Sequence, residues 1–183
     1  IILTVVATMI LPLIRERVPG VAIHTDIIVG FPGESEAQFQ RTVDLLADLR
    51  LDKVHLAKFS ARPGTVAAKT MIDDVPEPEK ERRRKVVDAQ QQDICAAITA
   101  GFLGRRVEVL VEARDGDRWR GRTRTNKLVF FPDDRDLLGR LVDVEIDWTG
   151  PWSMIGHLAG RRAPAAREVL SLELLPAGAA GSD

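Results

Sequence analysis

A short apolar run that ends in a glycine-containing turn is the feature that most constrains the fold of this chain. Residues 27–29 (Ile-Ile-Val) are continuously apolar, which is typical of a parallel strand covered on both faces. Gly30 and Gly33 follow in the turn Gly-Phe-Pro-Gly, and neither has a Cβ atom to keep a ligand away from the backbone. Ligands in α/β folds lie at the carboxyl ends of such strands. The turn is therefore a candidate ligand site, and an ordinary strand–turn–helix connection is the alternative.

A second strand and loop follow the first after one helix. Ser35 and Gln38 have the spacing of a capping box, and apolar residues at helical spacing come after them. Residues 53–59 predict a strand at a distance suited to parallel pairing with the first. This strand ends in a polar, glycine-containing loop at residues 60–65. Two such loops on one rim indicate a ligand site more strongly than either loop does alone.

The apolar period changes from helical to strand-like after Gly104. A helix is predicted before it, over residues 79–100, and its basic run at residues 80–85 is interpreted as a solvated face, with a phosphate contact as the alternative. Asp115 and Gly116 then form a strong hairpin signal. The alternation of apolar and polar residues after this point predicts five short antiparallel strands. Such strands are typical of a small closed barrel of the OB-like kind.

Composition and charge narrow the class of protein. The net charge of −1 means that any nucleic-acid binding must come from a local patch. The single cysteine, Cys95, excludes an internal disulfide framework and indicates a reducing, cytoplasmic setting. Residues 1–14 are apolar but too short to span a bilayer, and they lack a signal peptide's basic leader. We interpret them as a core helix that follows a fragment boundary. No metal site is predicted, because ligand spacing is missing among the histidines His24, His55 and His157.

A row of arginines marks the second half of the chain. The row consists of Arg118, Arg120, Arg122 and Arg124. A regular strand would place these four side chains on one face because they recur at every second position. Lys127 extends the patch. Aligned guanidinium groups repel one another unless an anion lies across them, and Arg suits phosphate through a two-pronged contact. The row therefore predicts RNA binding. The alternative is an exposed strand balanced by neighbouring acids such as Glu108 and Glu112.

Several motifs in the same order resemble the radical-SAM methylthiotransferase family. Residues 25–34 (TDIIVGFPGE) and 59–68 (FSARPGTVAA) are similar to the ends of that family's fifth and sixth barrel strands. Residues 75–77 (VPE) are similar to its connection into a TRAM domain. Residues 121–127 (GRTRTNK) and 138–144 are similar to parts of the TRAM barrel. The resemblance implies an incomplete α/β radical-SAM barrel segment followed by an all-β TRAM barrel. It divides the chain at residues 1–75, a linker helix at 76–101, the TRAM domain at 102–160 and a tail at 161–183. The tail's composition is typical of disorder, with an edge strand predicted at residues 169–175.

Residues 62–65 (Arg-Pro-Gly-Thr) resemble the tRNA-modifying branch of this family. Membership implies insertion of a methylthio group at C2 of an N6-isopentenyl-adenosine beside the anticodon, by a monomeric cytoplasmic enzyme. The implied cofactors are S-adenosylmethionine and two [4Fe-4S] clusters, since the C2–H bond is unactivated and the cofactor must carry the hard step. Two alternatives stay open. One is a non-catalytic TRAM-type RNA-binding module, and the other is the sister enzyme that modifies an aspartate of a ribosomal protein.

The chain departs from the family in its cysteines. The Cys-x3-Cys-x2-Cys motif of the radical-generating cluster is absent, and Cys95 cannot replace it, so we predict no catalytic residue here and an inactive fragment. Resemblance places the cofactor or substrate pocket at the two loops, through Gly30, Phe31, Pro32, Gly33, Phe59, Ser60 and Arg62. Asp26 and His55 are interpreted as pointing into the barrel or as a polar layer of it. The arginine row with Lys127 would hold the tRNA anticodon arm.

Overall fold

The chain divides after Thr99 into two compact units, and the computed structural model describes the backbone of residues 2–160 and the side chains of residues 9–160. The first unit contains four helices and two strands in the order α1 (Ile2–Arg17), β1 (His24–Val29), α2 (Glu36–Leu49), β2 (Lys53–Lys58), α3 (Val66–Thr70) and α4 (Glu77–Ala100). The predicted tail and its edge strand lie outside the described residues. The described part has no helix that is both long and apolar enough to cross a membrane.

β1 and β2 pair in parallel, as the strand–helix–strand pattern predicts, with His24 opposite Lys53 and Val29 opposite Lys58. Their core-facing side packs on α2 and α4 through Val29, Phe39, Leu46, Leu49, Leu51 and Val87. The expectation that β1 is covered on both faces is wrong for the described residues, since Ile28 is 55% exposed. Two strands and one layer of helices can cover only one face of a sheet.

The capping box at the start of α2 is confirmed. The Gln38 amide donates to Ser35 Oγ at 3.3 Å, and the Ser35 amide donates to Gln38 Oε1 at 2.8 Å. Two free N–H groups at the helix start are thereby satisfied. At the other end Arg50 takes a left-handed backbone with φ 45°, and β2 begins three residues later.

The second unit is a closed five-stranded barrel formed by β3 (Arg106–Asp115), β4 (Arg118–Thr123), β5 (Leu128–Pro132), β6 (Leu141–Thr149) and β7 (Ser153–Leu158). The strand order is β3-β4-β5-β7-β6, and β6 pairs with β3 to close it. Barrel and strand count match the prediction, but the expectation of purely antiparallel strands is wrong because β5 and β7 are parallel. An odd number of strands cannot alternate in direction around a closed ring, so one pair must run parallel.

Alternate residues of every barrel strand fill its interior. Val109, Val111, Trp119, Val129, Phe131, Val144, Ile146, Met154 and Leu158 form this core with Leu137. Two strand glycines are needed for close packing. A Cβ atom at Gly121 would lie 2.4 Å from the Leu110 carbonyl oxygen, and one at Gly156 would lie 2.1 Å from that of Glu145. Only glycine fits at these two positions without moving a neighbouring strand.

Two adjacent phenylalanines on β5 test the inward and outward alternation. Phe131 is fully buried in the barrel, whereas Phe130 faces the other side and is half-buried. We expect Phe131→Ala to lower the free energy of unfolding by about 3–5 kcal/mol, because it removes a large side chain and leaves a cavity. Phe130→Ala is the matched control and should cost less than half as much. Urea unfolding followed by tryptophan fluorescence measures this, since Trp119, Trp148 and Trp152 all lie in the barrel unit. Equal losses would contradict the alternation.

Candidate functional site

The loops that follow β1 and β2 lie side by side in the first unit. The Phe59 amide donates to the Val29 carbonyl at 2.9 Å, which extends the strand pairing by one residue. The Phe31 and Phe59 rings meet edge to face with centroids 5.0 Å apart. We call residues 30–35 and 59–65 the strand-end loops. They open at the same carboxyl edge of the sheet, as parallel strands require.

A buried lysine from α4 lies beneath this edge. Lys80 is 4% exposed, and its Nζ donates to both carboxylate oxygens of Asp73 at 2.7 Å and to the Phe59 carbonyl at 3.3 Å. It also lies 5.3 Å from the centre of the Phe59 ring. A Cβ atom at Gly30 would lie 2.4 Å from Lys80 Cγ. Gly30 is therefore required by the packing of α4 as well as by its φ of 69°.

A second buried cation fixes the first loop. Arg83 is 5% exposed, and its Nη1 donates to the Glu34 carboxylate at 2.8 Å and to the Glu34 carbonyl at 2.9 Å. The same carboxylate accepts from the Gly30 amide at 2.6 Å. The Gly33 amide donates to Asp74 at 2.7 Å. Both glycine N–H groups are thus held by carboxylates of this chain.

The interpretation of the basic run as a solvated helix face is wrong for Lys80 and Arg83. Sequence reasoning also missed Glu34, Asp73 and Asp74, which neutralise or anchor the loops. One signal was available, because the buried positions of α4 follow helical spacing along one stripe: Lys80, Arg83, Val87, Gln91, Ile94, Cys95 and Thr99. Lys80 and Arg83 lie on the same helical stripe as the apolar residues.

The other predicted residues of the strand-end loops are more accessible. Phe31 is 39% exposed, Pro32 is half-buried, and Ser60 and Arg62 are exposed. Thr65 caps the short helix α3, since its hydroxyl accepts from the Ala68 amide at 3.2 Å. The uncovered face of β1 and β2 forms an open groove of about 480 Å³ that Asp26 and His55 help to line.

The arginine row keeps to one side of the barrel. Arg118, Arg120 and Arg122 alternate along β4 with the inward residues Trp119, Gly121 and Thr123, so their side chains share its outer face. Arg124 follows the end of the strand and its side chain is 80% exposed. Lys127 comes just before β5, and its amide donates to Thr123 Oγ1 at 3.1 Å.

Acids from β3 pair with two of these arginines. Arg122 Nε lies 3.3 Å from Glu112 Oε2, and Arg124 Nε lies 2.8 Å from Glu108 Oε1. These are the two acids that the sequence offers as an alternative to an anionic ligand. The Arg120 side chain has neither hydrogen bond nor ion pair within the part of the chain that the structure describes. The outer face therefore combines balanced and unbalanced arginines.

The barrel is similar in sequence to a known family. Residues 102–159 match the family described as TRAM domain. A tRNA-2-methylthio-N(6)-dimethylallyladenosine synthase from Roseiflexus sp. is 52% identical over 149 residues, which cover 80% of this chain and 31% of that protein. A synthase of the same name from Chloroflexus aurantiacus is 50% identical over 78% of this chain and 31% of its own length. One from Herpetosiphon aurantiacus is 44% identical over 84% of this chain and 36% of its own length.

Residues 102–159 of the second unit therefore correspond to a TRAM domain, a class of small β-barrel. About four-fifths of the chain is similar to the C-terminal part of the tRNA-2-methylthio-N(6)-dimethylallyladenosine synthases, and the resemblance to the tRNA-modifying branch of the methylthiotransferases is confirmed. The chain spans about a third of the length of these curated relatives.

Two carboxylates at the start of α4 test the charge pairing around the strand-end loops. Hydrogen bonds from Arg82 and Arg83 lower the pKa of Glu79 to about 2, and those from Arg84 and Lys58 lower the pKa of Glu81 to about 2. A depressed carboxylate pKa stabilises the fold above the unfolded pKa of about 4.5, and this stabilisation is lost as the pH falls towards 2.

We expect the first unit to lose stability between about pH 5 and about pH 2, and Glu79→Gln with Glu81→Gln to flatten that dependence. Far-ultraviolet circular dichroism during urea unfolding measures it, because the described helices lie within residues 2–100. Asp93→Asn, an exposed change on the same helix, is the control and should leave the profile unaltered. An unchanged profile in the double variant would contradict the pairing.

Proposed function

We propose that this chain is the C-terminal part of an enzyme that adds a methylthio group to C2 of N6-isopentenyl-adenosine in tRNA. The observation that carries the proposal is the extent of the similarity. A match over 149 residues is longer than either compact unit, so it extends over parts of both units. A free-standing RNA-binding module would need to resemble such enzymes only over its TRAM domain.

The implied iron–sulfur clusters do not fit the residues of this chain. Such clusters are held by several cysteine thiolates, and the sequence has one cysteine. Cys95 is 2% exposed, and its thiol donates to the Asp52 carbonyl at 3.3 Å while accepting from Gln91 at 3.1 Å. We infer that both [4Fe-4S] clusters of the whole enzyme are held by residues outside this sequence, and that this chain alone is inactive.

S-adenosylmethionine fits the strand-end loops better. When bound it supplies the methyl group and the radical chemistry that an unactivated C–H bond requires. Phe31, which is 39% exposed, offers an aromatic ring to its adenine, and the buried Phe59 packs edge to face against Phe31. The exposed Arg62 offers a guanidinium to its carboxylate. The Gly30 and Gly33 amides donate to Glu34 and Asp74, so these glycines shape the loop rather than donate to the cofactor. Pro32 and Ser60 complete the predicted edge.

The TRAM domain holds the anticodon arm of the tRNA in this proposal. Arg118, Arg120 and Arg122 present guanidinium groups on one face, with Arg124 and Lys127 just beyond the strand. Contacts between such groups and phosphates position an RNA without reading its sequence. In this proposal the enzyme that contains this chain is a cytoplasmic monomer, and the single cysteine of this sequence is typical of a reducing compartment.

Charge reversal in the arginine row tests the RNA-binding role. We expect Arg120→Glu with Arg122→Glu to weaken binding of a tRNA anticodon arm by roughly tenfold or more, and to lower the slope of log affinity against log salt by about 2, because each arginine contributes about one phosphate contact. Fluorescence anisotropy over a series of salt concentrations measures both. Arg41→Glu with Lys85→Glu makes the same change in net charge on exposed positions of the first unit. An equal effect in both variants would contradict the assignment of RNA binding to the arginine row.

The reaction itself is tested in the source organism. We expect deletion of the gene that encodes this chain to abolish the 2-methylthio group on N6-isopentenyl-adenosine, because the family resemblance is to the enzyme that installs it. Mass spectrometry of digested tRNA measures this modification. Unchanged 2-methylthio content with loss of a modified ribosomal-protein aspartate would favour the sister enzyme. No change in either would favour a non-catalytic module.

A further inference from the structure

The outer face of the TRAM barrel contains a groove with an apolar floor. Leu110 on β3 and Leu141 on β6 are cross-strand partners, and they are 44% and 60% exposed. They help to line a groove of about 390 Å³, which is within the size range of small-ligand sites. Exposed leucines beside an arginine row offer contact to an apolar surface and not to phosphate alone.

The two Arg–Glu pairs described above line the same groove. Arg122 and Glu112 are 42% and 37% exposed, while Arg124 and Glu108 are 80% and 35% exposed. Ion pairs this accessible contribute little to stability, so a competing anion can break them. In the free protein they nevertheless lower the positive charge that the groove presents.

Glu108 has acceptor capacity left over. Its Oε1 atom is shielded from solvent and lies 2.8 Å from Arg124 Nε, while the side chain as a whole is 35% exposed. The amino group of a nucleobase is a donor of the kind that a glutamate accepts, whereas a phosphate is not a donor at all.

Building on the proposed RNA-binding function, we propose that Glu108 and Glu112 determine specificity by making the arginine face select single-stranded RNA over duplex RNA. A duplex keeps its bases stacked and presents phosphates that must displace the carboxylates from Arg122 and Arg124. A single strand also offers an unstacked base. That base packs on Leu110 and Leu141, lies against the guanidinium groups, and donates to Glu108.

The test uses the whole chain with Glu108→Gln and Glu112→Gln, which remove the charge and preserve the shape. Binding of a fluorescent single-stranded oligoribonucleotide and of a duplex of equal length is measured by anisotropy over a salt series. We expect duplex affinity to rise roughly three- to tenfold, with a salt slope larger by about 1–2, because the carboxylates no longer compete with phosphate for two arginines. Single-strand affinity should change less, so the preference for the single strand falls.

Asp93→Asn with Asp134→Asn is the matched control, since it removes two negative charges from exposed positions outside the groove. It should leave the ratio of the two affinities unchanged. If the wild-type chain binds RNA but the glutamate variant keeps its ratio, or if the control shifts it equally, the selective role of Glu108 and Glu112 is wrong while RNA binding stands. If the wild-type chain binds neither RNA, both proposals fail together.

Discussion

Lys80 and Arg83 carry positive charge into the interior of the first unit, and both strand-end loops take their shape from the way those charges are neutralised. A buried charge that loses its partner destabilises a fold by about 3–5 kcal/mol, so Asp73 and Glu34 must stay in contact once α4 is packed. The Phe59 carbonyl and the Gly30 amide are tied to the same groups. One helix thereby holds the carboxyl ends of two strands.

The same chemistry has a different consequence on the TRAM barrel. Arg122 and Arg124 pair with Glu112 and Glu108 in positions open to water, where an ion pair is weak and a phosphate can compete for the cation. The cations of the α4 pairs described above are buried, whereas the pairs on the barrel are accessible to water. Those of α4 fix a structure, whereas those on the barrel adjust how strongly an RNA is attracted. A chain with 26 basic and 27 acidic residues can do both with almost no net charge.

The predictions that succeeded depend on local patterns. The capping box of Ser35 and Gln38 involves residues three apart, and the alternation along β4 follows from the pleat of a strand. The predictions that failed depend on partners distant in sequence. Ile28 is exposed because nothing described covers that face of the sheet, and Lys80 is buried because Asp73 and Phe59 meet it. Neither fact can be read from neighbouring residues.

The sequence alone determined the two halves of the chain, the rim with two glycine-containing loops, the barrel and the outward row of arginines, since each follows from short-range periodicity or turn chemistry. The tertiary structure alone decided which charges are buried, which arginines have acidic partners, and that Leu110 and Leu141 are neighbours on adjacent strands. An ion pair or a groove is made by residues that the fold brings together from different strands and helices. Their mutual distances exist only once the chain has folded.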